Sequence, residues 1–236
     1  MKRDKPIVLV SLAPYEFIVK KIAGEKVAVQ VMVPAGVSIH SFEPSPKAFT
    51  EATQADLWFI IGEVFELRVK LPVKQVDLRK GVDQIGGDLH FWLGPSVLAV
   101  QSQTIAGTLK EAYPEYAEEF ETNLQQWLQE LDAAKQPFSK RPVIMLSHPA
   151  LAYFCRDFNC EQVSIEMEGK EPHARQMVKL IDWAKKKQVE LILVEPQHSQ
   201  KGARRIAEAI GAKVVEFDPY QENVLQTWQT LKELME

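Results

Sequence analysis

No apolar run in this chain approaches the about 18 residues that a membrane-spanning helix needs, and runs such as Leu57 to Ile61 end after five. An excess of one charge is missing too. With 28 Lys and Arg against 32 Asp and Glu, the net charge of −4 gives a polyanion nothing to bind, so nucleic acid is not an expected partner. Cysteine is scarce: only Cys155 and Cys160 occur, and their spacing fits a small disulfide or two buried thiols equally well. No H-E-x-x-H pattern is present, which removes the best-known signature of a helix-borne zinc hydrolase. The opening residues Met1 to Pro6 run straight into the apolar Ile7 to Ala13, with no apolar leader and small-residue cleavage site. The expectation is a cytosolic chain or one whose leader has been removed. Histidine is rare as well, at five in 236 residues, so the placement of each one carries information.

What the chain does contain is an alternation of short apolar runs and helical segments. Residues 7–13, 27–33 and 57–61 read as strands, with a helix opened by Pro14 after the first and a helix with Ser45 as N-cap and Pro46 in its first turn before the third. The alternation stops after residue 94. Two long helical stretches follow, divided by Pro114. The second carries Ala117, Phe120, Leu124, Trp127, Leu128 and Leu131 at steps of three and four, the mark of one apolar helix face. From Arg141 the alternation returns, with strands expected at 142–147, 162–167, 189–195 and 212–217. This βαβ rhythm predicts parallel sheets. The expected α/β architecture has two similar lobes flanked by helices, at 1–113 and 137–236, joined by one long rigid helix over 114–136, with a site in the cleft between them.

Four potential metal ligands follow predicted strands. His40 lies in the proline-rich loop V33-P-A-G-V-S-I-H-S-F-E-P-S-P46, His90 in the loop before Pro95, His148 directly after the strand 142–147, and Asp218 directly after 212–217. In a parallel sheet all strand C-termini share one edge, so residues far apart in sequence converge there. Three imidazoles and a carboxylate make a four-donor set that suits Zn²⁺. Asp218 also reads as an N-cap or Asx turn ahead of Pro219. Glu195 is either an acceptor that orients a ligand imidazole or a solvated strand-end carboxylate. His173, beside Pro172 in a first helical turn, reads as a surface residue. His198 follows a strand, and the sequence leaves its role open.

The segments around these residues resemble the metal-binding class of ABC-transporter solute-binding proteins, most closely its zinc-binding members. The resemblance spans nearly the whole chain. V33-P-A-G-V-S-I-H-S-F-E-P-S-P46 is similar to the family's first-ligand loop, L89-H-F-W-L-G-P95 to its second, S147-H-P-A-L-A-Y-F154 to its third and E216-F-D-P-Y220 to its fourth. The stretch from Leu193 to Val214 is similar to the segment between the third and fourth. The resemblance implies His40, His90, His148 and Asp218 as metal ligands, a rigid connecting helix at 114–136, and Zn²⁺ as transported ligand with Mn²⁺ as the alternative. It further implies an ABC permease as partner, a monomer, and a site of action in the periplasm or tethered by a lipid outside the membrane, where a disulfide is permissible. Two departures stand out. Gly94 occupies a place where the family commonly has aspartate, and His198 one where an apolar or aromatic residue is common.

The resemblance thus implies a protein that captures a divalent ion and delivers it, not an enzyme. The rival reading is a zinc hydrolase, which would keep an open metal position and use Glu195 or Glu43 as general base. A third is a surface interaction protein with a purely structural metal.

Overall fold

In the computed structural model, which describes residues 5–166 and 170–236, the alternation resolves into two four-stranded parallel sheets. The first contains β1 (Ile7–Val10), β2 (Ala28–Val31), β3 (Leu57–Ile60) and β4 (Lys74–Asp77), in the order β2-β1-β3-β4. The second contains β5 (Val143–Leu146), β6 (Glu161–Ser164), β7 (Leu191–Val194) and β8 (Lys213–Glu216), in the order β6-β5-β7-β8. The two halves therefore share one winding. The central strand β3 is buried along its whole length, as expected for an apolar run with helices on both faces. β4 is the strand the apolar pattern does not reveal: an edge strand reading Lys-Gln-Val-Asp, half in solvent, needs no apolar run. Met167, at the end of the second expected strand of the second half, and Met1 to Asp4 lie outside the described residues.

The helices are α1 (Ala13–Ala23), α2 (Pro46–Ala52), α3 (Val64–Arg68), α4 (Pro95–Ala112), α5 (Ala117–Ala134), α6 (Ala152–Phe158), α7 (Ala174–Lys186), α8 (Lys201–Ile210) and α9 (Val224–Met235). Ser45 caps α2 as expected, its hydroxyl accepting from the Ala48 N–H at 3.2 Å. The long helix is shorter than the sequence suggests. Pro114–Tyr116 form a 3₁₀ turn, and α5 proper runs for 18 residues, roughly 27 Å. It lies back along the first lobe, with Trp127 Nε1 donating to Ser102 of α4 at 2.9 Å and Lys21 of α1 reaching Glu130 at 2.6 Å. Phe120, Leu124, Trp127 and Leu131 form its buried face. α5 thus braces the first lobe on its way to the second, and direct packing between the lobes adds to that connection.

That packing centres on Trp92. Its ring sits 5.6 Å from Tyr220 of the second lobe and 6.3 Å from Tyr15 of the first, and its Nε1 donates to the Pro219 carbonyl at 2.7 Å. Residues from both lobes, among them Phe91, Trp92, Tyr153, Phe158 and Trp228, belong to one continuous apolar cluster. Truncating such a buried ring costs about 3–5 kcal/mol, so the lobes are not free to separate cheaply. Gly94 belongs to this joint. A Cβ there would lie 2.6 Å from that of Tyr153, so no aspartate fits. Asp157 of α6 reaches across instead, accepting from the Ser96 N–H at 2.7 Å and satisfying the first turn of α4 from the other lobe. Cys155 and Cys160 are buried free thiols with sulfurs 2.9 Å apart.

Candidate metal centre

His40, His90, His148 and His198 meet between the lobes. His40 sits in the 3₁₀ turn Ile39–Ser41 beyond β2, and His90 directly precedes the 3₁₀ turn Phe91–Leu93, well beyond the end of β4. His148 follows β5 at once, and His198 lies in the loop from β7 to α8. Ring centroids are 5.3 Å apart for His40 and His90, 5.2 Å for His40 and His148, and 5.3 Å for His90 and His148. His198 stacks on His148 at 4.2 Å, with 13° between the planes. One donor atom each from His40, His148 and His198 lie within 4.8 Å of one another.

Carboxylates stand behind these rings. Glu63 Oε1 lies 3.1 Å from His40 Nδ1, Asp88 Oδ1 lies 2.7 Å from His90 Nδ1, and Glu166 Oε2 lies 3.0 Å from His148 Nδ1. The Asp88 and Glu166 contacts are hydrogen bonds to Nδ1, which fix the tautomer that leaves Nε2 free as a metal donor and raise its basicity, whereas Glu63 Oε1 makes no hydrogen bond. The His90 Nε2 is buried and has no hydrogen-bond partner. That is costly for a polar atom unless something else occupies the place.

Each carboxylate is itself held. Asp88 accepts from the His90 N–H at 2.8 Å and, through its other oxygen, from the Ala152 N–H of the second lobe at 3.3 Å. Glu63 is set by the turn leaving β3. There the buried Glu66 accepts from the N–H groups of Ile61, Gly62 and Glu63 and from the Ser11 hydroxyl. Gly62 makes that turn at φ +94°, and a Cβ on it would run into the Arg79 guanidinium.

Burial dominates the electrostatics. It lowers the His148 imidazole to about 3, helped by repulsion from His90 and His40, and lowers His198 to about 4, helped by His148. Both rings are therefore neutral, as metal binding requires. Burial pushes Glu66 up to about 7 despite its donors. It also raises Glu195 well above the ordinary carboxylate range, assisted by Asp218, Glu166 and Asp88. Both Glu195 oxygens are buried without a hydrogen-bond partner, and one lies 3.6 Å from His198 Nε2.

The structure brings three of the four expected ligands together as rings in contact. Asp218 is differently engaged. Its Oδ1 accepts from Gln197 Nε2 at 2.9 Å and from the Tyr220 N–H at 3.0 Å, and its Oδ2 from Gln221 Nε2 at 3.3 Å. The bond to Tyr220 is the Asx turn that the sequence also allows. His173 is exposed at the start of α7, as expected. Sequence reasoning missed Glu63, Asp88 and Glu166; of these only Asp88, two positions before His90, left a local signal.

Residues 8–236 match the family described as zinc-uptake complex component A, periplasmic (ZnuA). The chain belongs to this family. A Chlamydia muridarum protein named for metal binding is 30% identical over 92% of this chain and 86% of its own. A crystal structure of ZnuA is 31% identical with a TM-score of 0.91, covering 98% of both chains. A ZnuA deletion mutant with zinc bound is 30% identical with a TM-score of 0.88, covering 98% of this chain and 96% of that one. The ZnuA family is described by uptake and a periplasmic location, not by a catalysed reaction. No described helix of this member is long and apolar enough to cross a membrane.

Proposed function

We infer that this chain captures a single Zn²⁺ ion outside the cytoplasmic membrane and, as a monomer, hands it to an ABC permease. The observation that carries this reading is the meeting of imidazoles from both lobes, with His40, His90 and His148 each backed by a carboxylate on Nδ1. Neutral nitrogens are borderline donors that favour zinc over manganese, whose sites are richer in oxygen. The buried Glu63 and Glu195 and the partly buried Asp88 and Glu166 offset the charge of the ion without entering its shell. His40, His90 and His148 hold the ion. Asp218 completes the set through the lone-pair capacity that the three hydrogen bonds it accepts leave free.

A hydrolase needs a metal with an open position and a base close to the attacked water. A site crowded with imidazoles supports holding and release instead. The test is a titration of chelator-stripped protein with Zn²⁺, for which one equivalent is expected. Structural zinc sites bind with about 10–16 kcal/mol over four ligands, so each ligand carries about 3 kcal/mol, or roughly 100-fold in affinity. His40→Ala, His90→Ala and His148→Ala are each expected to lose about that factor while the fold persists. Unchanged zinc affinity in all three would overturn the reading.

A further inference from the structure

Cys155 and Cys160 are the only cysteines of the chain, and ion capture makes no use of them. Cys155 lies near the end of α6 and Cys160 directly before β6. Asn159 between them takes the left-handed conformation, with φ 58° and ψ 56°. The N–H groups of Asn159 and Cys160 both donate to the Cys155 carbonyl, the second at 3.0 Å, so the helix end folds back on itself. This turn brings the two sulfurs to 2.9 Å, nearer than the about 3.5–4.0 Å at which even non-bonded carbon atoms settle. Both thiols are buried, and no third cysteine competes for either sulfur.

We propose that Cys155 and Cys160 close an intramolecular disulfide as the chain folds in an oxidising compartment, stapling the end of α6 to the start of β6. The compartment follows from the site of action inferred above, outside the cytoplasmic membrane; the pairing itself follows from the turn. The oxidant is a small-molecule disulfide of the glutathione class. One cysteine releases its proton and its thiolate attacks that disulfide, forming a mixed disulfide and expelling one small thiolate. The second cysteine, deprotonated in turn, attacks the protein sulfur of the mixed bond and expels the other. The protein thiols thereby lose two electrons and two protons, and one small disulfide becomes two small thiols. In the folded chain the neighbouring Cys160 and burial push the Cys155 thiol up, so the packed pair holds little of the reactive thiolate. Closure therefore belongs to folding, before α6 is packed.

The staple joins two elements that matter to the joint between the lobes. β6 is an edge strand, paired only to β5. α6 meets the first lobe: the Ala152 N–H and the Tyr153 hydroxyl donate to Asp88, and Asp157 accepts from the Ser96 N–H. Closing the loop from 155 to 160 restricts the unfolded chain, which on loop entropy raises the folding equilibrium constant roughly 40-fold.

The test refolds reduced, urea-unfolded, metal-free protein in mixed reduced and oxidised glutathione, blocks free thiols with N-ethylmaleimide in denaturant and weighs the intact chain. A chain two hydrogens lighter than the reduced one and carrying no maleimide is expected. Two maleimides, bound glutathione or a disulfide-linked dimer as the main product would overturn the proposal. Urea unfolding then compares this protein with the same chain refolded in excess reductant, and the oxidised form is expected to have a roughly 40-fold smaller unfolding constant. An oxidised form that unfolds as readily as the reduced one would overturn the staple. So would a redox difference that persists in the double variant Cys155→Ala with Cys160→Ala. All of these measurements are made without metal, so a failure of zinc capture leaves them untouched, and zinc titration of either form tests capture alone.

Discussion

The two lobes are wound alike, and their equivalent strand exits can be compared residue by residue. β1 is followed by Ser11 and β5 by Ser147; β3 leads to Glu63 and β7 to Glu195. In the first lobe the serine hydroxyl bonds to Glu66, and Glu63 is left facing His40 Nδ1 at 3.1 Å. In the second the serine Oγ accepts from the Glu195 N–H at 3.2 Å, and the Glu195 carboxylate is buried with no hydrogen-bond partner. The exits of β3 and β7 thus both carry a buried glutamate with an oxygen that makes no hydrogen bond, three residues past the strand in the first lobe and one past it in the second. The imidazoles are supplied differently too. The second lobe sets His148 directly on a strand end, where the sheet itself fixes it. The first lobe delivers His40 and His90 on long loops, which must be pinned by other contacts.

The strongest break in that contrast is at Asp88, which pins the His90 loop to the N–H of Ala152 in the opposite lobe. Asp88→Ala is expected to cut zinc affinity 10- to 100-fold, the usual effect of losing the group behind a ligand imidazole. Competition titration reads it. An unchanged affinity would mean that packing around Trp92 alone places His90.

Glu66 has no counterpart in the second lobe, and its titration sharpens the comparison. Its folded-state value of about 7 lies above that of an unfolded glutamate, near 4.5. The folded protein therefore holds this proton more tightly. The resulting stability is fully present below about pH 4.5 and is lost as pH rises through about 7. Urea unfolding of metal-free protein should show the unsubstituted chain losing on the order of 2 kcal/mol more than Glu66→Gln between pH 5 and pH 8. Parallel pH profiles would show that the donors around Glu66 outweigh its burial.

The smallest expected effect is at His173, exposed on the second lobe. His173→Ala should leave zinc affinity within about twofold and stability within about 0.5 kcal/mol, the range of ordinary surface substitutions. A larger loss of zinc binding would bring a fifth histidine into the site.

The alternation of apolar runs and helical segments determined the two-lobed parallel α/β architecture, because strands buried on both faces have to be apolar. The motifs around His40, His90 and His148 were legible because proline and glycine place these residues on ordered loops at the ends of elements. The polar edge strand β4 was not legible, since half of it lies in solvent and carries no pattern. Nor was the shortening of the connecting helix, where Pro114 spends one turn in 3₁₀ geometry. The exchange in which Gly94 makes room for Tyr153 and Asp157 caps α4 from the other lobe has no local signature, because its partners meet only after folding.

The sequence by itself therefore determined which elements form and which few imidazoles are available near the strand ends, since propensity and burial pattern act over neighbouring residues. The tertiary structure alone decided which carboxylate backs which ring, that Asp218 is engaged by Gln197, and that His198 stacks on His148. Those are distances between side chains on different loops, set by how the two sheets pack around Trp92, and no spacing along the chain encodes them.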